Sequence, residues 1–195
     1  LYPPTGANGS PDFANPRLPD RDLIPVPVTD VTPPVVTGVP DRLPNDAGWY
    51  SAPVTIDWRS VDPRPSSGRP TDPADTLAKI EGRNAYSSDA SCDHAGNCAT
   101  GTLTLSIDRT APDVACPPDQ QFELRDAEAV VTAVVTDASS GPVAASVSAA
   151  ADTSSVGAKT VSLTAQDIAG NETTVDCSYT VVSTPWMVGG TGLVN

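Results

Sequence analysis

Few residues in this chain could carry out acid–base or nucleophilic chemistry. His94 is the single histidine among 195 residues, and a Ser or Cys nucleophile needs an imidazole that a carboxylate orients. His94 lies in a tight loop between Cys92 and Cys98, which leaves no room for a substrate pocket. A carboxyl that acts as a general acid needs burial to raise its pKa, whereas the Asp residues here lie in turn-like segments. The sequence therefore predicts no catalytic residues and no enzyme.

Two oxygen-rich loops could bind calcium, which prefers carboxylate and carbonyl oxygens. The candidate ligands are Asp93 and Asn97 in one loop and Asp167 and Asn171 in the other. The same reasoning extends the set to Asp89, Asp137 and, at junctions between segments, Asp30 or Asp108. None of these residues has EF-hand spacing. The competing interpretation is a turn in which Gly and Asn adopt positive φ and the Asp side chain accepts backbone N–H bonds. No other cofactor is indicated.

Four cysteines are typical of two disulfides in an exported protein. A zinc site is the competing interpretation. Paired CxxC spacing is missing, however, and no second histidine is available as a ligand. The cysteines therefore predict an oxidising, extracellular or cell-surface location.

Aromatic side chains could form a platform for a carbohydrate, because sugar rings stack on them. The candidates are Trp49, Tyr50, Trp58 and Trp186. Trp58 lies in an alternating strand pattern, which favours a core position, and Trp49 and Tyr50 are expected at one end of the same core. Carbohydrate thus remains a possible ligand, with core packing as the alternative.

The composition excludes several classes of protein. Twenty of the 24 acidic residues are Asp, with 21 Pro and 14 Gly, and all three residue types disfavour helix interiors. The net charge of -13 repels phosphates, so we expect no nucleic-acid partner. No apolar stretch approaches the roughly 18 residues of a membrane span, which predicts no membrane insertion. Because Leu1 is not an initiator Met, we expect a processed or excerpted chain.

An internal repeat divides the chain. Asp30-Val31-Thr32-Pro33-Pro34-Val35-Val36 aligns with Asp108-Arg109-Thr110-Ala111-Pro112-Asp113-Val114, and Asp93-His94-Ala95-Gly96-Asn97 aligns with Asp167-Ile168-Ala169-Gly170-Asn171. Two motifs with nearly equal offsets indicate two homologous units. We call residues 31–110 the first unit and residues 111–184 the second unit. Residues 1–30 form a Pro-rich arm or linker, and residues 185–195 form a tail outside both repeats.

Both units carry strand patterns. Period-2 or β-branched runs occur at residues 54–58, 103–107, 130–135 and 161–165, and turn-forming residues separate them. These runs predict an all-β fold with two tandem immunoglobulin-like sandwiches. One exception is expected at residues 75–82, where an Asp N-cap, good helix formers and a closing Gly predict about two helical turns.

Strand placement predicts the disulfide pairing among the three that four cysteines allow. Cys92 and Cys98 flank a hairpin tip, and Cys116 and Cys177 fall on the first and last strands of the second unit. Strands that are neighbours in a sheet or sandwich bring such residues within bonding distance. We therefore expect Cys92–Cys98 and Cys116–Cys177.

Each unit resembles a known family of bacterial modules. The first unit carries Gly48-Trp49-Tyr50, Val54-Thr55-Ile56-Asp57-Trp58 and Ile107-Asp108-Arg109-Thr110-Ala111-Pro112. It resembles immunoglobulin-like repeats of secreted and surface proteins from high-GC Gram-positive bacteria, although it lacks a Cys on the Trp58 strand. The second unit resembles a hyalin-repeat (HYR) domain. Its matching residues are Cys116-Pro117-Pro118, Val156-Gly157-Ala158-Lys159-Thr160-Val161, Ala165-Gln166-Asp167-Ile168-Ala169-Gly170-Asn171 and Cys177-Ser178-Tyr179-Thr180-Val181.

The resemblance implies a non-enzymatic extracellular structural or adhesive component of a larger surface assembly. A virion protein is a close variant, since phage tail and capsid proteins of high-GC hosts carry similar modules. The alternative is an accessory module, such as a carbohydrate-binding one, attached to a secreted hydrolase. The expected partner is another protein, or neighbouring copies of the same chain, contacted through the arm.

The arm generates a prediction about assembly. Its Pro density prevents regular structure, and it cannot bury enough apolar surface within itself to offset about 1–2 kcal/mol of backbone ordering per residue. The residues expected to dock on a neighbouring chain or domain are Leu18, Leu23, Ile24, Val26 and Val28. Deleting the arm should leave both sandwiches folded and abolish assembly, as thermal melts and light scattering would show. Assembly that survives the deletion would contradict this prediction.

Overall fold

The computed structural model describes residues 29–183, which form fourteen β-strands and no helix. The arm residues Leu18, Leu23, Ile24, Val26 and Val28, and the tail with Trp186, lie outside the described residues. Because residues 29–183 contain no helix, they also contain none long and apolar enough to cross a membrane. The predicted all-β sandwich class is confirmed.

Eight strands build the first unit. They are β1 (Val35–Pro40), β2 (Trp49–Tyr50), β3 (Val54–Val61), β4 (Thr76–Ala78), β5 (Gly82–Ser87), β6 (Ser91–Cys92), β7 (Cys98–Ala99) and β8 (Thr102–Ile107). One sheet has the order β1-β3-β4, a second has the order β2-β8-β5, and β6 and β7 form a short hairpin. Alternate residues of β3 point inward, so Val54, Ile56 and Trp58 are fully buried between the sheets.

Six strands build the second unit. They are β9 (Asp113–Ala115), β10 (Gln120–Glu123), β11 (Val130–Thr136), β12 (Ser146–Ala150), β13 (Gly157–Gln166) and β14 (Glu172–Val182). The sheets have the orders β12-β11-β9 and β10-β14-β13. Their facing residues form a separate core in which Val131, Ala133 and Cys177 are fully buried. Each unit thus has its own hydrophobic core.

The helix predicted for residues 75–82 is wrong. Thr76–Ala78 forms strand β4, which pairs antiparallel with β3, and Gly82 begins β5 with a φ of 88°. Pairing with β3 buries Ala78 completely and places the Thr76 hydroxyl 2.9 Å from the Trp58 indole N–H, which donates to it. Tertiary pairing outweighs a local helix preference worth only a few tenths of a kcal/mol per residue.

The aromatic residues of the first unit belong mainly to its core. Trp58 is fully buried and Tyr50 is nearly so, while Trp49 is half-buried. The Tyr50 hydroxyl donates to the carbonyl oxygen of Arg42 at 3.3 Å. The Trp58 and Tyr50 rings therefore offer no exposed face on which a sugar could stack.

Two disulfides link the strands, and their cysteine pairing is the one expected from strand placement. Cys92 and Cys98 face each other across the β6–β7 hairpin. Cys116, just after β9, is bonded to Cys177 on β14. The described residues contain no free cysteine. The second bridge spans 61 residues and the first only 6, so the two bridges should differ in their effect on stability.

The disulfides give a prediction about stability. Loop-closure entropy predicts that Cys116→Ala/Cys177→Ala destabilises the second unit by about 4 kcal/mol, and that Cys92→Ala/Cys98→Ala destabilises the first unit by about 2 kcal/mol. Urea unfolding followed by hydrogen exchange at Val131 and Ile56 separates the two units. An equal loss in both variants would contradict the loop-length argument.

Candidate metal centre

Three aspartates meet where the second unit begins. Asp108 follows β8, Asp137 follows β11 and Asp167 follows β13, and each offers a carboxylate oxygen within 4.8 Å of the other two. Asp108 and Asp167 are buried, whereas Asp137 is partly exposed. We call this group the junction cluster, because it lies between the two units.

The first unit carries the same arrangement at its opposite end. Asp30 precedes β1, Asp62 follows β3 and Asp93 follows β6, again with oxygens within 4.8 Å of one another. Asp30 and Asp93 are buried and Asp62 is partly exposed, which matches the junction cluster residue for residue. We call this group the entry cluster. Asp30 therefore belongs to the first unit, and a deletion of the arm should stop at residue 28.

The first Asp of each cluster holds two backbone segments together. In the entry cluster, the Thr32 amide donates to Asp30 Oδ1 at 3.0 Å and the Ser67 amide donates to Asp30 Oδ2 at 2.7 Å. In the junction cluster, Thr110 N donates to Asp108 Oδ1 at 3.1 Å and Ser140 N donates to Asp108 Oδ2 at 2.9 Å. The start of each unit is thereby bound to a distant loop of the same unit.

The Asn of each Asp-x-Ala-Gly-Asn loop orients the cluster. Asn97 Nδ2 donates to Asp93 Oδ2 at 2.8 Å and to the Asp30 carbonyl at 3.2 Å. Asn171 Nδ2 donates to Asp167 Oδ2 at 2.7 Å and to the Asp108 carbonyl at 3.0 Å. The side-chain Nδ2 of each Asn donates to a cluster aspartate. Asn97 and Asn171 therefore position the carboxylates. In this arrangement the six aspartates are the candidate ligands.

The two clusters have no basic partner within residues 29–183. Among the described residues, no Lys, Arg or His forms an ion pair with any of the six carboxylates. In the entry cluster, Asp62 Oδ1 is buried and has no hydrogen-bond partner. Like charges this close repel one another, and a buried acceptor without a partner is unfavourable. A cation would relieve both effects.

Hydrogen bonds keep two of the carboxyls acidic despite burial. Burial raises the pKa of Asp108, but hydrogen bonds from Ser140 and Thr110 outweigh it and hold that pKa below its ordinary value of 3.8. For Asp93, burial likewise raises the pKa, and bonds from the Asn97 side chain and the loop amides lower it below 3.8. Both groups are therefore ionised at neutral pH.

A surface hollow borders one aspartate of each cluster. A hollow of about 300 Å³ has Asp62 in its wall, with Ser66 and Arg69 beside it. A hollow of about 340 Å³ has Asp137 in its wall, with Thr110 and Asp113 beside it. The partly exposed Asp of each cluster thus faces a route by which an ion could enter. Another hollow, of about 480 Å³, lies on the β10-β14-β13 sheet away from both clusters.

Sequence reasoning found most of these residues and missed Asp62. It placed Asp30, Asp93, Asp108, Asp137 and Asp167 among the possible ligands, and the structure brings them together in two groups. Asp89, in contrast, is exposed and outside both clusters. Asp62 could have been found from the repeat, because it corresponds to Asp137. Each of the two residues directly follows a strand with alternating buried residues, β3 or β11.

His94 has no catalytic partner among residues 29–183. Its side chain is exposed and lies over Gly68, where an added Cβ would come within 2.4 Å of His94 Nδ1. Within the same residues, the ring donates no hydrogen bond to a carboxylate that would orient it.

Comparison of the sequence with protein-family models and with curated proteins finds no match to either. Functional assignment therefore depends on the fold and on the two clusters.

The junction cluster gives a prediction about pH. Because the folded-state pKa of Asp108 is lowered, its stabilising effect is present above the unfolded value near 3.8 and is lost as pH falls through the lower folded value. Asp108→Asn sets an amide NH2 group against the Ser140 N–H and should cost about 1–3 kcal/mol at neutral pH. It should also flatten the acid dependence of unfolding, measured by urea titration in chelator from pH 2 to pH 7. An unchanged acid dependence would contradict the role given to Asp108.

Proposed function

We propose that this protein is a non-enzymatic extracellular structural or adhesive component, built from two immunoglobulin-like units in series, the second of HYR type. It acts within a larger surface or virion assembly. The observation that carries the proposal is the junction at Asp108, where the two units are joined by direct hydrogen bonds with no free linker. A module that transmits position or load needs such a joint, because a flexible linker lets neighbouring domains reorient.

Asp108 is bonded to both units at once. Its backbone amide donates to the Tyr50 carbonyl of the first unit at 2.9 Å. Its carboxylate and its carbonyl accept bonds from Ser140 and Asn171 of the second unit. The side chain is fully buried, so these bonds are shielded from water. The residue that connects the units is therefore held at both ends.

Two further contacts support the junction on its flanks. Asn45 Nδ2 of the first unit donates to the Ile168 carbonyl of the second unit at 2.8 Å. Glu81 accepts from the Ser139 hydroxyl of the second unit at 3.5 Å. It also holds the connecting segment, accepting from the Thr110 hydroxyl at 3.2 Å and pairing with Arg109 Nε at 3.4 Å. The pair is partly exposed and contributes little by itself. Together the contacts attach two loops of the first unit to the second unit and to the connecting segment.

The disulfides and the charge support an extracellular location. Disulfides persist in oxidising compartments, and here each unit has one. The net charge of -13 suits a medium with abundant divalent cations. We propose that calcium occupies both clusters. Ligand oxygens that bind one Ca²⁺ at 2.3–2.6 Å lie up to about 5 Å apart, which agrees with the spacing of each cluster.

Calcium has a defined structural role in this proposal. At the junction cluster its two positive charges offset most of the repulsion among three carboxylates, one of which belongs to the connection between the units. Bound calcium thereby adds an electrostatic link from Asp108 to the loops that contain Asp137 and Asp167. Extracellular modules bind calcium with dissociation constants of about 10⁻⁴–10⁻³ M, which millimolar calcium would fill.

Calorimetric titration tests the proposal. The full chain should bind about two Ca²⁺ per molecule, and a concentration near 100 times the dissociation constant should add about 2.7 kcal/mol to stability for each occupied site. Asp137→Asn should remove the junction site and Asp62→Asn the entry site, each leaving one. Both variants keep a side-chain oxygen as acceptor while removing one charge.

Asp176→Asn is the matched control, because Asp176 is an exposed carboxylate outside both clusters. It should leave two sites. No heat of binding at several millimolar calcium, or an equal loss in all three variants, would contradict the calcium part of the proposal. Hydrolytic or transfer activity that is lost on His94→Ala would contradict the non-enzymatic part.

A further inference from the structure

The end of the first unit that carries the entry cluster is formed by two loops, residues 66–68 and 93–97. We call this surface the entry face. Its counterpart in the second unit is formed by residues 139–141 and 167–171, the loops that hold the junction cluster. The two surfaces are equivalent in the repeat, yet their surroundings differ.

The counterpart surface is partly covered by the first unit, although Ile168 and Gly170 remain exposed. Asn45 donates to the Ile168 carbonyl at 2.8 Å, and Glu81 accepts from the Ser139 hydroxyl at 3.5 Å. Both Asn45 and Glu81 lie at the end of the first unit that is remote from the entry face. We call that end the closing end. The second unit's loop surface is thus a receptor for the closing end of a sandwich.

The entry face is built by the same bonds as its counterpart. Ala95 N donates to Ser67 Oγ at 3.0 Å, and Ala169 N donates to Ser140 Oγ at 3.2 Å. His94 lies over Gly68 in the way that Ile168 lies over Gly141, each from the position after the cluster Asp. The loop backbone that accepts Asn45 in the second unit is therefore present in the first.

Nothing within residues 29–183 covers the entry face. His94 and Gly96 are exposed, as are their counterparts Ile168 and Gly170. The two surfaces differ at Ala95 and Ser66, which are exposed, whereas Ala169 is buried and Ser139 is half-buried. Val31, which replaces Arg109, is 73% exposed. Thr32 corresponds to Thr110, whose hydroxyl donates to Glu81 at the existing junction. At the entry face, a carboxylate placed like Glu81 could therefore accept a hydrogen bond from the Thr32 hydroxyl. It could not form the ion pair, because Val31 replaces Arg109.

We infer that the entry face docks the closing end of a further sandwich of the first unit's kind, with an Asn and a Glu at the positions of Asn45 and Glu81. The inference rests on the proposed structural function and extends it, because it names the partner of the exposed end. The contact is head-to-tail, so it continues the row of units in one direction.

A tandem duplication tests the inference directly. The variant chain consists of residues 1–107 followed by residues 30–195. Ile107 of the added first unit then directly precedes Asp30 of the original copy, just as Ile107 precedes Asp108 in the natural chain. Thr100→Ser in the added copy, at an exposed site, gives its peptides a distinct mass. Hydrogen exchange at residues 93–97 of the original copy should slow by about 10-fold relative to the natural chain.

Substitutions at the closing end supply the matched control. Asn45→Asp/Glu81→Ala in the added copy should restore fast exchange at residues 93–97 of the original copy. The aspartate keeps the acceptor that Ala47 and Trp49 use, removes the donor and adds one negative charge. The same pair in the original copy should instead speed exchange at residues 167–171. That second result reports on the existing junction, and so on the proposed function, separately from the new contact.

Unchanged exchange at residues 93–97 in the duplicated chain would overturn the inference. Slowed exchange that ignores the Asn45→Asp/Glu81→Ala pair in the added copy would overturn it as well. A third contrary result would come from the natural chain, if deleting residues 1–28 speeds exchange at residues 93–97. The arm would then be the occupant of the entry face.

Discussion

Each unit depends on one carboxylate placed at the point where its chain begins. Asp30 and Asp108 accept hydrogen bonds from one backbone amide two residues further along the chain and from another in a loop that is distant in sequence. These loop amides have no main-chain carbonyl partner of the kind that a sheet would supply. The carboxylate oxygens accept their hydrogen bonds instead. Because these bonds define where the loops lie, they also bring the second and third aspartates of each cluster within reach of a common ion.

The two copies of this arrangement have different consequences. At Asp108 the segment before the carboxylate is β8, so the loops of one sandwich are tied to the strand of another. At Asp30 the preceding segment lies outside the described residues, and the same loops are exposed. Substitutions in the repeat follow this difference: Arg109, which pairs with Glu81, corresponds to Val31, and Ile168 corresponds to the polar His94. The loop surface of the second unit thus carries residues suited to contact with the first unit, whereas the equivalent surface of the first unit carries different side chains at these two positions.

Sequence reasoning was most accurate where a pattern is local and repeated. The alternation at residues 54–58 places Trp58 in the core, and the hairpin at Cys92 and Cys98 follows from turn chemistry. It failed at Thr76–Ala78, because pairing with β3 overrides helix propensity. It also missed Asp62 and the contacts of Asn45 and Glu81. Those positions depend on how strand ends and loops converge in three dimensions, and no periodicity records that convergence.

We propose that Asp108 holds the two sandwiches in one fixed relative orientation. Residual dipolar couplings of backbone amides in the full chain, measured with millimolar calcium, test it most directly, since they report the orientation of each unit in a common frame. We predict that couplings from residues 31–107 and 113–182 fit a single alignment tensor, and that Asp108→Ala separates them into two. Two different tensors in the natural chain with calcium bound would contradict the account.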